Sequence, residues 1–154
     1  MQRLSLCIDL DGTLTCEGNE NAYGIRAHAG GSIRRGAREV ITELYQTHYI
    51  HFVTARVESL ESACISWLYH QQIPFDSLSL FCTTTKEDRV NALESDFVIE
   101  GSYEQALRLA GLGFQVLLLD SSSNQGPILP NITRVYNWYH VKAALLRRLE
   151  QEAS

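Results

Sequence analysis

Short apolar runs and amphipathic stretches alternate along the whole chain. Residues 3–9 are mostly apolar, close on an acid and read as a strand. Over residues 32–47, Ile33, Ala37, Val40, Ile41, Leu44 and Tyr45 recur at helical spacing, with Ser32 placed to cap the first turn. Residues 49–54 are β-branched and aromatic and predict a second strand. A helix is expected over 59–71, where Leu60, Cys64, Trp67 and Leu68 share a face, and Pro74 then enforces a break. A strand at 78–82 and a short helix at 87–93 follow. The next elements are a strand at 96–99 and a helix at 103–112 stopped by Gly111 and Gly113. A strand at 115–119 contains the unbroken apolar run Val116–Leu119. After a Ser/Asn/Gly/Pro loop at 121–130, residues 132–136 suggest a sixth strand and 138–150 a closing amphipathic helix.

This alternation predicts an α/β fold, an open, doubly wound three-layer sandwich around a mostly parallel sheet. Such sheets bind ligands beyond the carboxyl ends of their strands, where the strand order reverses. No repeat, low-complexity tract or interdomain linker interrupts the 154 residues, which are expected to form one domain (1–154).

Composition narrows the function classes. With 20% charged residues and a formal net charge of −5, the chain has no basic stripe for a nucleic-acid polymer. No apolar run approaches a membrane span, so a soluble, cytoplasmic protein is expected; a homo-oligomer is compatible with this. The four cysteines, Cys7, Cys16, Cys64 and Cys82, lack C-x-x-C spacing, and the five histidines lack metal-ligand spacing. Cys7, Cys64 and Cys82 read as small core residues.

The chemistry concentrates after the first strand, in Asp9-Leu10-Asp11-Gly12-Thr13-Leu14-Thr15. An apolar strand delivers two carboxylates one residue apart, followed by a glycine that permits a sharp turn. One carboxylate can attack phosphorus while its neighbour handles the proton of the leaving oxygen. Two close negative charges also resist simultaneous ionisation unless a cation offsets them.

The D-x-D-G-T-[LV]-T pattern resembles the first signature of the haloacid dehalogenase (HAD) superfamily of hydrolases. The resemblance implies a Mg²⁺-dependent phosphatase in which Asp9 is the nucleophile and Asp11 the acid/base. Gly12 and Thr13 would lie against the phosphate. The second signature, a hydroxyl ending the next strand, is matched by Thr54, with Ala55 and Arg56 opening the following phosphate-binding turn. The third, a lysine neutralising nucleophile and phosphate, is matched by Lys86. The fourth supplies metal carboxylates, and here Glu100 and Glu104 join Asp9 and Asp11 as the implied Mg²⁺ ligands. Many relatives carry two adjacent acids at this place, whereas Glu100 is followed by Gly101. Asp96, at the start of that strand, reads as structural.

Within the superfamily, residues 54–60, 67–76, 116–124 and 134–138 are similar to the 5′(3′)-deoxyribonucleotidase (type C nucleotidase) group. That group has a helical cap between the first two signatures. Only about 16–31 is available here, enough for a flap or loop in which Tyr23, Arg26 and His28 are candidate substrate contacts. The expected substrate is therefore a small phosphorylated molecule bound in an open site. Two non-enzymatic alternatives stand beside this. A response-regulator receiver shares the residue types but not their order, since Thr54 ends the second strand and Lys86 precedes the last acid. A degenerate HAD domain with a binding or structural role rests on Gly101.

Overall fold

The computed structural model describes residues 3–16, 32–55, 58–80 and 85–154. Arg56, Cys82 and most of the expected flap, with Tyr23, Arg26 and His28, lie outside the described residues. Six strands, β1 (Leu4–Asp9), β2 (His48–Thr54), β3 (Ser77–Leu80), β4 (Phe97–Glu100), β5 (Val116–Leu119) and β6 (Ile132–Val135), form one sheet. Its order is β3-β2-β1-β4-β5-β6, and each of the five pairings is parallel. The chain winds outward from β1 to β3, then crosses back to β4 and winds the other way. The reversal falls between β1 and β4.

Alternate side chains of each central strand enter different cores, which is why the apolar runs are continuous. Leu6, Ile8, Ile50, Phe52, Ile99, Leu117 and Leu119 pack under α1 (Ala37–Leu44), α2 (Glu61–His70) and α5 (Trp138–Ala153). Cys7, Val53, Val98, Val116 and Leu118 pack under α3 (Lys86–Ala92) and α4 (Tyr103–Gly111). These are the two helical layers of the expected sandwich. Among the described residues no helix is long and apolar enough to cross a membrane.

The first helix is shorter than its periodicity suggests. Gly36 stands at φ +81° immediately before it, and Ile33 forms an antiparallel bridge with Thr15, so Ser32 is not the cap. At the far end, α4 gives way at Gly113, whose φ of +97° suits glycine. Cys7 and Cys64 are buried and Cys16 is exposed.

Two aspartates tie the amino-terminal edge of the sheet. Asp96 exchanges two hydrogen bonds with Ser5, donating its N–H to the Ser5 carbonyl (2.8 Å) and accepting the Ser5 N–H on its carboxylate (2.7 Å). Asp76 does the same with Ile50, both at 2.8 Å. Asp96 therefore sits at the opposite edge from Glu100.

Candidate active site

Asp9 ends β1, Thr54 ends β2, Glu100 ends β4, and Lys86 opens α3, so the four meet at the carboxyl edge beside the strand-order reversal. After Asp9 the chain makes one tight turn, Leu10–Leu14, closed by the Thr15 N–H donating to the Leu10 carbonyl at 3.2 Å. Inside it Asp11 keeps an extended conformation (φ −72°, ψ 124°), and Gly12 takes the left-handed one (φ 75°, ψ 0°). A residue with a Cβ would be strained at position 12, which explains the glycine after the acid pair. Leu10 and Leu14 anchor the turn in the core, leaving Asp11 exposed and Asp9 largely covered.

Lys86 is 4% exposed, and its ammonium lies 3.3 Å from Asp9 Oδ1 while also pairing with Glu100 Oε2. Burial works against its charge, but the Asp9 and Glu100 carboxylates outweigh that and hold the lysine above its ordinary range. The Thr13 hydroxyl donates to Asp9 Oδ2 at 3.3 Å, and the Thr54 hydroxyl to Asp11 Oδ2 at 3.5 Å. Burial and the Glu100 carboxylate, offset by Lys86 and reinforced by Asp11, push Asp9 up to about 7.

Three carboxylates thus stand against one buried ammonium. That surplus of negative charge on oxygen donors suits a hard divalent cation at Asp9 and Asp11. Glu100 is more committed: Oε1 accepts the N–H groups of Gly101 and Ser102, each at 3.1 Å, and Oε2 accepts from Lys86. Among the described residues no group of three His, Cys, Asp or Glu side chains converges as a ready metal site. Glu104 is exposed on the first turn of α4, and Ala55 is exposed just past β2.

Gly101 has a steric reason of its own. A Cβ there would lie 2.5 Å from the Gly12 carbonyl oxygen and 2.8 Å from Thr13 Oγ1. The second position of the acid pair is filled by the nucleophile turn itself, so no side chain fits.

Three supports escaped the sequence reading. Arg34 donates to the Gly12 carbonyl at 2.7 Å, and the Trp138 indole N–H donates to the Thr13 carbonyl at 3.1 Å. Asn124 donates to the Gly101 carbonyl at 3.0 Å. Asn124 and Trp138 lie in segments that resemble the nucleotidases, but nothing local gives their partners.

No family model matches the chain. A nucleotidase of Clostridium acetobutylicum is 33% identical over 188 aligned positions, covering 98% of this chain and 98% of that protein. The chain belongs to this nucleotidase family. It is an enzyme of the phosphatase and nucleotidase type. Since 188 positions exceed the 154 residues present, the Clostridium nucleotidase carries residues with no counterpart here. Two other relatives, from Halalkalibacterium halodurans and Bacillus subtilis, are 28% and 31% identical over 70% and 66% of this chain, and the matches span 56% and 53% of those proteins. Solved structures agree on the HAD fold. A HAD-superfamily hydrolase of Ehrlichia chaffeensis superposes with a TM-score of 0.68 at 13% identity, over 96% of this chain and 98% of its own. A HAD-like protein of Streptococcus pneumoniae gives 0.66 at 13% identity, over 93% and 98%.

Proposed function

We propose that this nucleotidase-family enzyme hydrolyses small phosphomonoesters with Mg²⁺ through a phosphorylated Asp9. The supporting observation is the division of labour between the paired acids. Asp9 is buried against Lys86 and Thr13, while Asp11 is exposed at the end of the extended step that Gly12 makes possible.

In the first step an Asp9 carboxylate oxygen bonds to phosphorus, the ester P–O bond breaks, and Asp11 gives its proton to the departing oxygen. In the second, water attacks phosphorus, Asp11 takes the proton, and the Asp9–phosphorus linkage breaks to release inorganic phosphate. Lys86 and the Thr54 hydroxyl balance the charge of the transferring group. Asp9, the Asp11 backbone carbonyl and the remaining capacity of Glu100 would hold Mg²⁺, which would neutralise charge on the phosphoryl oxygens. The exposed Glu104 would act on it only through water.

Nucleotides are the first substrates to test, because the Clostridium relative is named a nucleotidase. The short segment at about 16–31, between the first two signatures, offers few side chains to surround a leaving group, so weak discrimination among small esters is expected. The test is hydrolysis of a chromogenic phosphate ester, nucleoside monophosphates and sugar phosphates, with Mg²⁺ and with chelator. Asp9→Asn should lower kcat by about a thousandfold or more, since the amide is isosteric but no nucleophile. A folded Asp9→Asn protein with a comparable rate refutes the covalent route. A strong preference for one nucleotide refutes the open site.

A further inference from the structure

We propose that Asn124 is a positioning residue of the active site: its carboxamide fixes Gly101, and through Gly101 the turn that carries Asp9 and Asp11. Asn124 lies in the loop after β5, far from β1 in sequence, and is 1% exposed. Its carboxamide is fully used. Nδ2 donates to the Leu119 carbonyl at 2.7 Å and to the Gly101 carbonyl at 3.0 Å. Oδ1 accepts the Ser121 N–H at 3.0 Å and an Arg134 N–H at 2.9 Å. Arg134 also donates to the Asn124 carbonyl at 3.0 Å, and it is held by Asp120 at 2.8 Å. A buried amide satisfied on all four sides has one orientation, because any rotation faces a donor with a donor.

That orientation matters because of what Gly101 touches. Its N–H is fixed by Glu100 Oε1 and its carbonyl by Asn124, so both ends of the residue are pinned. The side of its Cα where a Cβ would stand faces the Gly12 carbonyl and the Thr13 hydroxyl, with no room for a side chain. Thr13 in turn holds Asp9 Oδ2. Gly101 is thus a stop against which the nucleophile turn rests, and Asn124 holds the stop in place. Releasing it lets Gly101 and Ser102 drift on their loop, and the Asp9 carboxylate loses its fixed distance to Lys86.

The role rests on the phosphatase reading for its kinetic arm only. A matched control exists in Asn131, whose Nδ2 donates to the Ala110 and Phe114 carbonyls at 2.8 and 2.9 Å, away from the site. Asn124→Asp keeps the shape and the Oδ1 acceptor but turns a carboxylate oxygen toward two carbonyls. Asn124→Ala removes the group. Below the melting range, both should lower kcat about ten- to hundredfold with KM changed less than about threefold. In metal-free protein, hydrogen exchange of a peptide spanning residues 10–15 should quicken about tenfold in both. Asn131→Asp, losing comparable stability, should change neither. If the Asn124 variants fail to fold, Arg134→Gln, which frees Asn124 Oδ1 from a partly exposed position, should shift both readings the same way by a smaller factor.

Wild-type kcat and wild-type exchange in the Asn124 variants overturn the proposal, as do equal losses in Asn131→Asp. If the wild type hydrolyses no ester, the phosphatase reading fails, and the exchange comparison still decides the coupling between Asn124 and the turn.

Discussion

Replacing Gly101 by alanine tests the packing of the site with a single methyl group. The new Cβ would meet the Gly12 oxygen at 2.5 Å and its carbonyl carbon at 3.0 Å, both backbone atoms that no rotamer change can move aside. Ordinary contact begins near 3.4 Å, so the β4–α4 loop and the nucleophile turn must part by about 1 Å. Overpacking of this kind costs about 1–3 kcal/mol. At roughly 2–4 °C per kcal/mol for a chain of this size, Tm should fall by about 2–12 °C. The element that yields is the one carrying Asp9 and Asp11, and a displacement near 1 Å in a reacting group lowers kcat by about a hundredfold. Differential scanning fluorimetry and steady-state kinetics on a chromogenic ester read both effects. Gly111→Ala is the control: nothing lies within 4 Å of its Cβ position inside α4, so helix propensity should add about 0.5–1 kcal/mol. Gly101→Asp, which would place two adjacent acids at this position, should lose stability and gain no Mg²⁺ affinity. A Gly101→Ala protein with wild-type Tm and kcat would refute the steric argument.

The raised Asp9 also has a stability signature. Its folded pKa of about 7 lies above the ordinary 3.8, so between those values the folded state holds a proton that the unfolded chain has released. Stability of the metal-free protein should therefore fall as pH rises from about 4 through 7, and Asp9→Asn should melt higher than wild type at pH 8 but not at pH 4; no gain at pH 8 would contradict the burial argument. Lys86→Met leaves Asp9 and Glu100 buried without their cation and should cost about 3–5 kcal/mol, measured by urea denaturation. Glu100→Gln keeps an acceptor for the Gly101 and Ser102 N–H groups and should cost less, while raising the Mg²⁺ concentration needed for half-maximal activity.

The central strands β4 and β5 were readable because both faces of the sheet are covered there, which forces continuous apolar runs such as 116–119. Asp9, Thr54 and Glu100 were readable for the same reason: each sits one step past an apolar run, whereas Lys86 stands four residues beyond Cys82 and opens α3. The start of helix α1 is not legible in the sequence because the signal there is conformational. Gly36 adopts a left-handed φ, and Ile33 is drawn into a bridge with Thr15, while its apolar character still fits the helical period. The supports of the turn were illegible for a different reason. Trp138 reaches Thr13 across 125 residues and Arg34 reaches Gly12 across 22, and both address backbone carbonyls that carry no side-chain signature. Gly101 looked like a lost acid, because a sequence shows what a position lacks and not what occupies the space.

The two aspartates at the far edge of the sheet bear on strand register. In a strand, a slip by one residue sends every side chain to the opposite face. Were β1 to slide one place against β4, Asp9 would point away from Lys86, and Leu10 or Ile8 would take its place at the mouth. Asp96 opposes that slide by gripping both backbone groups of Ser5, and Asp76 does the same for β2 at Ile50. Each grip is a two-point latch that closes in one register only. Which side of the sheet becomes reactive is therefore decided at the end where no reaction occurs, by carboxylates with the same chemistry as the nucleophile and none of its freedom.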